Sequence, residues 1–161
     1  MNMVEKYNFD GVDIDWEYVS SSYPIKASQM NALVKTLREE MDRRSDQGGT
    51  PYYITAAIPA SSWGTSTDRF DFATLDKYMD YINIMSYDLN SSTKCTHLSP
   101  LYTSSKDGGY GFGGVYGVNR MSSLGFSKSK LIIGAAGYGK AYNVTGTVSG
   151  IYPALGVSGT L

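Results

Sequence analysis

The run Phe9-Asp10-Gly11-Val12-Asp13-Ile14-Asp15-Trp16-Glu17-Tyr18 sets carboxylates at alternate positions among Val, Ile, Trp and Tyr, which is the chemistry of a β-strand. Side chains on a strand change face at every residue, so Asp13, Asp15 and Glu17 share one face and Val12, Ile14 and Trp16 share the other. The apolar face must pack on a core. The apolar strands and helices that follow in the sequence point to an enclosed acid face as well. Successive carboxylates on one side of a strand stand about 6–7 Å apart. They repel, enclosure adds a desolvation cost, and at least one is expected to stay protonated near neutral pH. A protonated glutamate is a general acid.

The rest of the chain keeps alternating between the two periodicities. Residues 1–8 read as the end of a helix and 10–18 as the strand just described. Residues 26–46 carry helical spacing through Met30, Leu33, Val34, Leu37 and Met41, stopped by Gly48-Gly49. A second strand is expected over 52–59. An amphipathic segment follows over 70–79, with Asp71 where a helix cap is favoured. Residues 82–88 make a third strand, 115–124 a helix ended by Gly125, and 131–137 a fourth strand. Strands alternating with helices predict an α/β fold of βα repeats around a parallel sheet.

Composition narrows the partners. With 14 basic and 15 acidic side chains and a net charge of -1, nothing favours nucleic acid or an anionic membrane surface. No apolar run is long enough to span a bilayer, and no signal peptide opens the chain. The single Cys95 rules out a disulfide within these residues, and a Thr/Ser-rich surface loop holding Cys95 and His97 is preferred to a catalytic thiol. Tyr, at 14 residues, suits both a sugar-stacking groove and a core. The run 108–117, with Tyr110, Phe112 and Tyr116 interleaved, lacks the Gly-Lys-Ser/Thr of a phosphate loop and reads as a flexible aromatic loop. Asn90-Ser91-Ser92 and Asn143-Val144-Thr145 are glycosylation acceptors only along a eukaryotic secretory route.

The pattern Asp-Gly-x-Asp-x-Asp-x-Glu at residues 10–17 resembles the signature of glycoside hydrolase family 18, the chitinases and their relatives, at every fixed position. Asn83-Ile84-Met85-Ser86-Tyr87-Asp88 is similar to the family's second marker, Met-x-Tyr-Asp at the end of a later barrel strand. Residues 130–140 (KLIIGAAGYGK) resemble the strand after that. The resemblance implies a (β/α)8 TIM barrel, yet such a barrel takes about 250 residues and this chain has 161. The four strands match strands four to seven of eight. The expected division is therefore a partial catalytic domain over 1–140, with 141–161 resembling the start of the α+β domain many chitinases insert before the last strand. A half barrel exposes strand edges, and the piece alone is expected to be inactive.

The activity implied is retaining hydrolysis of β-1,4 linkages in chitin or N-acetylglucosamine oligosaccharides, without cofactor or metal, by a secreted enzyme that is a monomer when complete. The resemblance assigns Glu17 as the acid and later the base. It makes Asp15 the group that holds the acetamido N–H, and Asp13 a partner sharing a proton with Asp15. It sets the Tyr87 hydroxyl near the acetamido oxygen, Met85 in the floor under the sugar, and Asp88 in contact with the sugar or the acids. Read alone, Met85 and Tyr87 fit barrel packing; with residues 10–17 the functional role is favoured. Tyr138 matches a tyrosine of the family's Tyr-Gly-Arg segment, but Lys140 stands where the Arg would be, and an ammonium lacks the bidentate fork. Val19 stands where chitinases often have Pro. Trp63 either stacks on a sugar or anchors its loop. Gly11 suits a close approach or a plain turn.

Three rivals compete with that activity. Hard cations favour carboxylates, but Asp13, Asp15 and Glu17 fan out along one strand with no His beside them. A lectin of the same fold usually lacks the acid, whereas Glu17 is present. An endo-β-N-acetylglucosaminidase or wall-glycan hydrolase would share the first motif; the second motif and the insertion lean toward chitinase.

Overall fold

The computed structural model describes residues 1–17, 26–49, 51–61, 69–107, 112–144, 146 and 155–161. Its centre is a parallel sheet in the order β1 (Gly11–Ile14), β2 (Tyr53–Pro59), β3 (Tyr81–Met85), β4 (Leu131–Ile133). A short α1 (Asn2–Tyr7) leads into β1, and Asn8, left-handed at φ 54, turns the chain between them. Three helices lie between the strands: α2 (Ala27–Ser45), α3 (Phe72–Leu75) and α4 (Gly114–Ser123). Sequential parallel strands joined through helices are the βα repeats the alternation predicts.

Alternation along each strand decides which face is covered. Ile54, Ala56, Ile58 and Ala60 from β2 and its end, with Ile82 and Ile84 from β3, are at most 1 % exposed. They pack with Met30, Val34 and Met41 of α2, Phe72 and Leu75 of α3, and Met121 of α4. Each of the larger side chains is worth about 1.5–3 kcal/mol of burial. Gly117 lets α4 settle closely, because a Cβ there would stand 2.9 Å from Ile84 Cγ2 and 3.2 Å from Ala60 Cβ. This corrects the reading of 108–117 as a loop: Gly114 to Gly117 form the first turn of α4, while 108–111 lie outside the described residues.

The opposite face is open. Asp13, Asp15, Glu17 and Tyr53 are exposed on it among the described residues. The four parallel strands form an open sheet with β1 and β4 at its edges. The ladders are also shorter than the patterns suggest. β1 stops at Ile14, β3 at Met85 and β4 at Ile133. Helix α3 covers only Phe72–Leu75 of the amphipathic 70–79 segment, with the Asp71 side chain accepting from Thr74 N–H at 3.1 Å, as the expected cap.

Beyond β4 the chain forms β5 (Asn143–Val144), which pairs antiparallel with β6 (Gly159–Thr160). The stretch before β6 also pairs with the connection that follows β3: Cys95 N–H donates to Val157 O at 2.9 Å and Gly156 N–H to Cys95 O at 2.8 Å. Cys95 is thus half-buried in a connection tied by backbone hydrogen bonds to the stretch before β6. His97 turns its Nδ1 onto both oxygens of buried Asp107, at 2.9 and 3.0 Å. The Asn90 amide donates to Tyr142 Oη at 2.7 Å, which occupies the first glycosylation acceptor within the fold. No helix among the described residues is long and apolar enough to cross a membrane.

Candidate active site

Catalytic groups of parallel βα architectures gather at the carboxyl ends of the strands, because the loops there are shaped independently of the sheet. Here the same strand ends carry residues singled out from the sequence. Glu17 lies three residues past β1, Pro59 ends β2, and Met85 ends β3 with Tyr87 and Asp88 just beyond it. These five residues, with Ser61 and Leu89, line one pocket of about 260 Å3. Four of the residues singled out from sequence thus share a single cavity, although they come from strands about 70 positions apart in the chain.

Glu17 stands beside the Asp15 carboxyl, whose charge and hydrogen bonding act on it. Partial burial in the pocket, then the Asp15 charge and this hydrogen bond, hold Glu17 above the ordinary glutamate range. Because Glu17 is exposed as a residue, the desolvation is modest, but all three causes act in one direction. Glu17 therefore keeps its proton to a higher pH than a glutamate in water, which is what a general acid requires.

Asp13 lies farther down the strand and does not line this pocket. Its Oδ1 accepts from Thr55 Oγ1 and, at 3.2 Å, from Asn83 Nδ2. Asp88 has φ 54, a left-handed backbone that few side chains adopt. Its carboxylate takes the Lys140 ammonium at 2.9 Å on Oδ1 and the Tyr138 hydroxyl at 2.7 Å on Oδ2. Hydrogen bonds from Lys140 and Tyr138 hold Asp88 below the usual aspartate range, and the same contact pushes the Tyr138 phenol up to about 12. Lys140 thus uses its point charge on Asp88, where the sequence raised the question of what replaced an arginine fork.

Tyr87 is seated by β4. A Cβ on Gly134 would stand 2.9 Å from the Tyr87 ring and 2.7 Å from Ile84 O, so only glycine leaves the ring its place. Between Met85 and Tyr87, buried Ser86 donates its hydroxyl to Gly134 O at 2.7 Å and accepts on its carbonyl from Ser99 Oγ at 2.6 Å. Gly11 proves to be a close approach, since a Cβ there would collide with the Tyr53 carbonyl. Trp63 and Val19 lie outside the described residues. Thr55, Gly134 and Ser86 escaped the sequence reading. A lone Thr among Ile and Ala on a buried strand was the available signal for the first.

Among the described residues, no three His, Cys, Asp or Glu side chains are grouped so as to hold a metal ion. The fold is a parallel βα sheet whose strand ends bring Glu17, Met85, Tyr87 and Asp88 into one pocket. The chain belongs to the glycosyl hydrolases family 18, whose family model matches residues 1–154. It is 27% identical over 147 residues to Endochitinase 1 of Metarhizium anisopliae, covering 90% of this chain and 34% of that protein. It is 30% identical over 145 residues to Probable chitinase 2 of Drosophila melanogaster, covering 88% of this chain and 28% of the relative. The chain therefore spans about a third of the length of these relatives. Among solved structures, a family 18 N-acetylglucosaminidase from Paenibacillus barengoltzii superposes with a TM-score of 0.77 at 29% identity, over 99% of this chain and 49% of that one. Group IV chitinase of Ostrinia furnacalis in complex with allosamidin gives a TM-score of 0.67 at 29% identity, over 83% of this chain and 36% of that one. The four-stranded sheet is accordingly part of a TIM barrel.

Proposed function

We propose that the complete protein hydrolyses β-1,4 linkages between N-acetylglucosamine units of chitin or its oligosaccharides, with retention and with the substrate's own acetamide as nucleophile. The observation that carries this reading is Glu17, held above the ordinary glutamate range by partial burial and the Asp15 charge, in a pocket walled by Met85, Tyr87 and Asp88. Glu17 gives its proton to the departing glycosidic oxygen. The acetamido carbonyl closes on the sugar carbon to form an oxazolinium ion, and Glu17 as carboxylate then takes a proton from the water that opens it. Asp15 accepts the acetamido N–H and offsets the charge on the ring. Tyr87 directs its hydroxyl to the acetamido oxygen, Met85 floors the sugar, and Tyr138 with Lys140 holds Asp88 at the rim. Asp13 exchanges a proton with Asp15.

An insoluble polymer as substrate places the work outside the cell, so we propose a secreted enzyme acting as a monomer. Residues 141–161 would begin an inserted domain, consistent with the β5–β6 pairing and the bridge from Ser158 to Lys94. A second reading, release of single N-acetylglucosamine units, is favoured by the N-acetylglucosaminidase that superposes over 99% of this chain.

Proton NMR of a chito-oligosaccharide digest in its first minutes tests the mechanism and separates the two readings. A β-anomeric new reducing end, lost by at least a few hundredfold in turnover in Glu17→Gln while binding survives, is the expected result. An α product, or equal turnover by the variant, would remove the assignment. Monosaccharide alone would select the second reading, and binding without product would make the protein a lectin.

A further inference from the structure

The Asp13 contacts do something the pocket residues do not. Thr55 lies directly opposite Asp13 in the β1–β2 register. Asn83, on β3, is opposite Ala57 of β2, two residues beyond the level of Thr55. Neighbouring strands are about 4.8 Å apart, so β1 and β3 stand about 10 Å apart, and their side chains meet only if the strand between carries something small. Ala57 supplies that gap with a single methyl. Three strands therefore converge on one atom, Asp13 Oδ1, from the open face of the sheet, where the contact adds nothing to the apolar core.

The chemistry of the donors restricts where a proton can sit. An amide NH2 can only donate, so the oxygen it meets must be an acceptor without hydrogen. With Asn83 Nδ2 on Oδ1, the Thr55 hydroxyl, which could act either way, must donate as well. We propose that Thr55 and Asn83 are positioning residues that reserve Asp13 Oδ1 as an acceptor and so fix the orientation of the Asp13 carboxyl that its role toward Asp15 requires. This rests on the reading of Asp13 given above. Rotation of the Asp13 carboxyl is what the two donors prevent. An aspartate held by only one of them could turn about χ2, a soft torsion.

The test uses the full-length protein and a chito-oligosaccharide with a fluorogenic leaving group. Thr55→Val keeps the shape and removes the donor; Thr55→Ser keeps the donor; Asn83→Leu removes the amide at similar volume. Expected are kcat values about tenfold lower for Thr55→Val and Asn83→Leu with KM within about twofold, the scale of one hydrogen bond to a charged group. Recovery in Thr55→Ser is expected too. In an Asp13→Asn background the same substitutions should change kcat by less than about twofold, because they act through Asp13. An equal loss in that background would show packing instead and overturn the inference. So would an unchanged kcat in Thr55→Val and Asn83→Leu, and if Glu17→Gln still abolishes turnover, the assignment of Glu17 stands. Full turnover by Glu17→Gln overturns both. Melting temperatures of the variants identify any that fail to fold, and Thr55→Val against Thr55→Ser, one hydroxyl apart, then decides.

Discussion

Replacing Arg38 should weaken the fold and leave catalysis untouched. Arg38 reaches from α2 to the amino-terminal ends of two strands, donating from Nε to Tyr78 O at 3.0 Å, from Nη1 to Tyr52 O at 3.0 Å and from Nη2 to Asp80 Oδ2 at 2.5 Å. Asp80 Oδ2 also accepts the Ile54 N–H at 2.8 Å, so the fork joins helix, turn and ladder at one place. The Arg38 side chain is 18% exposed and Asp80 32%, which leaves water only partial access. At about 1 kcal/mol for each bond to a carbonyl and about 1.5 for the ion pair, reduced for that access, Arg38→Met costs about 3 kcal/mol. Arg38→Lys, whose compact ammonium cannot span the three acceptors the planar fork reaches, costs about 2 kcal/mol. The latter lowers the folded-to-unfolded ratio about 30-fold, a large share of a typical domain's margin. Urea unfolding of the full-length protein, read as a midpoint shift at constant slope, measures both. Tyr52, Tyr78 and Asp80 precede β2 and β3, at the opposite end of the sheet from Glu17 and Tyr87, so kcat should not change. A cost below about 0.5 kcal/mol for Arg38→Met would refute the reasoning, by showing that water replaces these bonds without loss.

Three further expectations concern the site. In Asp15→Asn, Glu17 loses the neighbouring charge and keeps only its partial desolvation as a raising influence, so the alkaline limb of the kcat/KM profile should move to lower pH; an unmoved limb would deny the coupling. The Tyr138 phenol, up at about 12, should fall back toward 10.0 in Asp88→Asn, which NMR of 13C-labelled tyrosine would record. Gly134→Ala should cost about 1–3 kcal/mol by overpacking and lower kcat by displacing Tyr87, and full activity would show that the ring is not held where the structure has it.

The alternation of residues 10–17 carried the site in the sequence, because a strand's two faces follow from its period alone. Helix α2 was legible within one residue at each end for the same reason, its Met30, Val34 and Met41 recurring at helical spacing. Enclosure follows from no such local period. Whether Asp13, Asp15 and Glu17 meet solvent depends on what stands across the sheet, which is a property of other strands. Segment 70–79 has the apolar positions of a helix, yet its backbone closes a single helical stretch at Phe72–Leu75 before turning into β3. Long-range polar contacts left little trace in local pattern. The Asp13–Asn83 bond spans 70 positions and the Tyr138–Asp88 bond 50. Only tertiary proximity makes an Asn in a strand or a Tyr after one mean anything chemical.

The left-handed backbone at Asp88 limits which sequences this position can explore. At φ 54 a β-branched side chain collides with its own backbone, whereas Gly, Asn and Asp are tolerated. A fully randomised codon at 88, selected only for soluble folded protein, would already be enriched in those three before any sugar was offered. Asparagine is then the one neutral, near-isosteric replacement the backbone accepts. Reshaping this corner of the pocket for a different sugar would have to begin with Tyr138 and Lys140, whose conformations carry no such restriction.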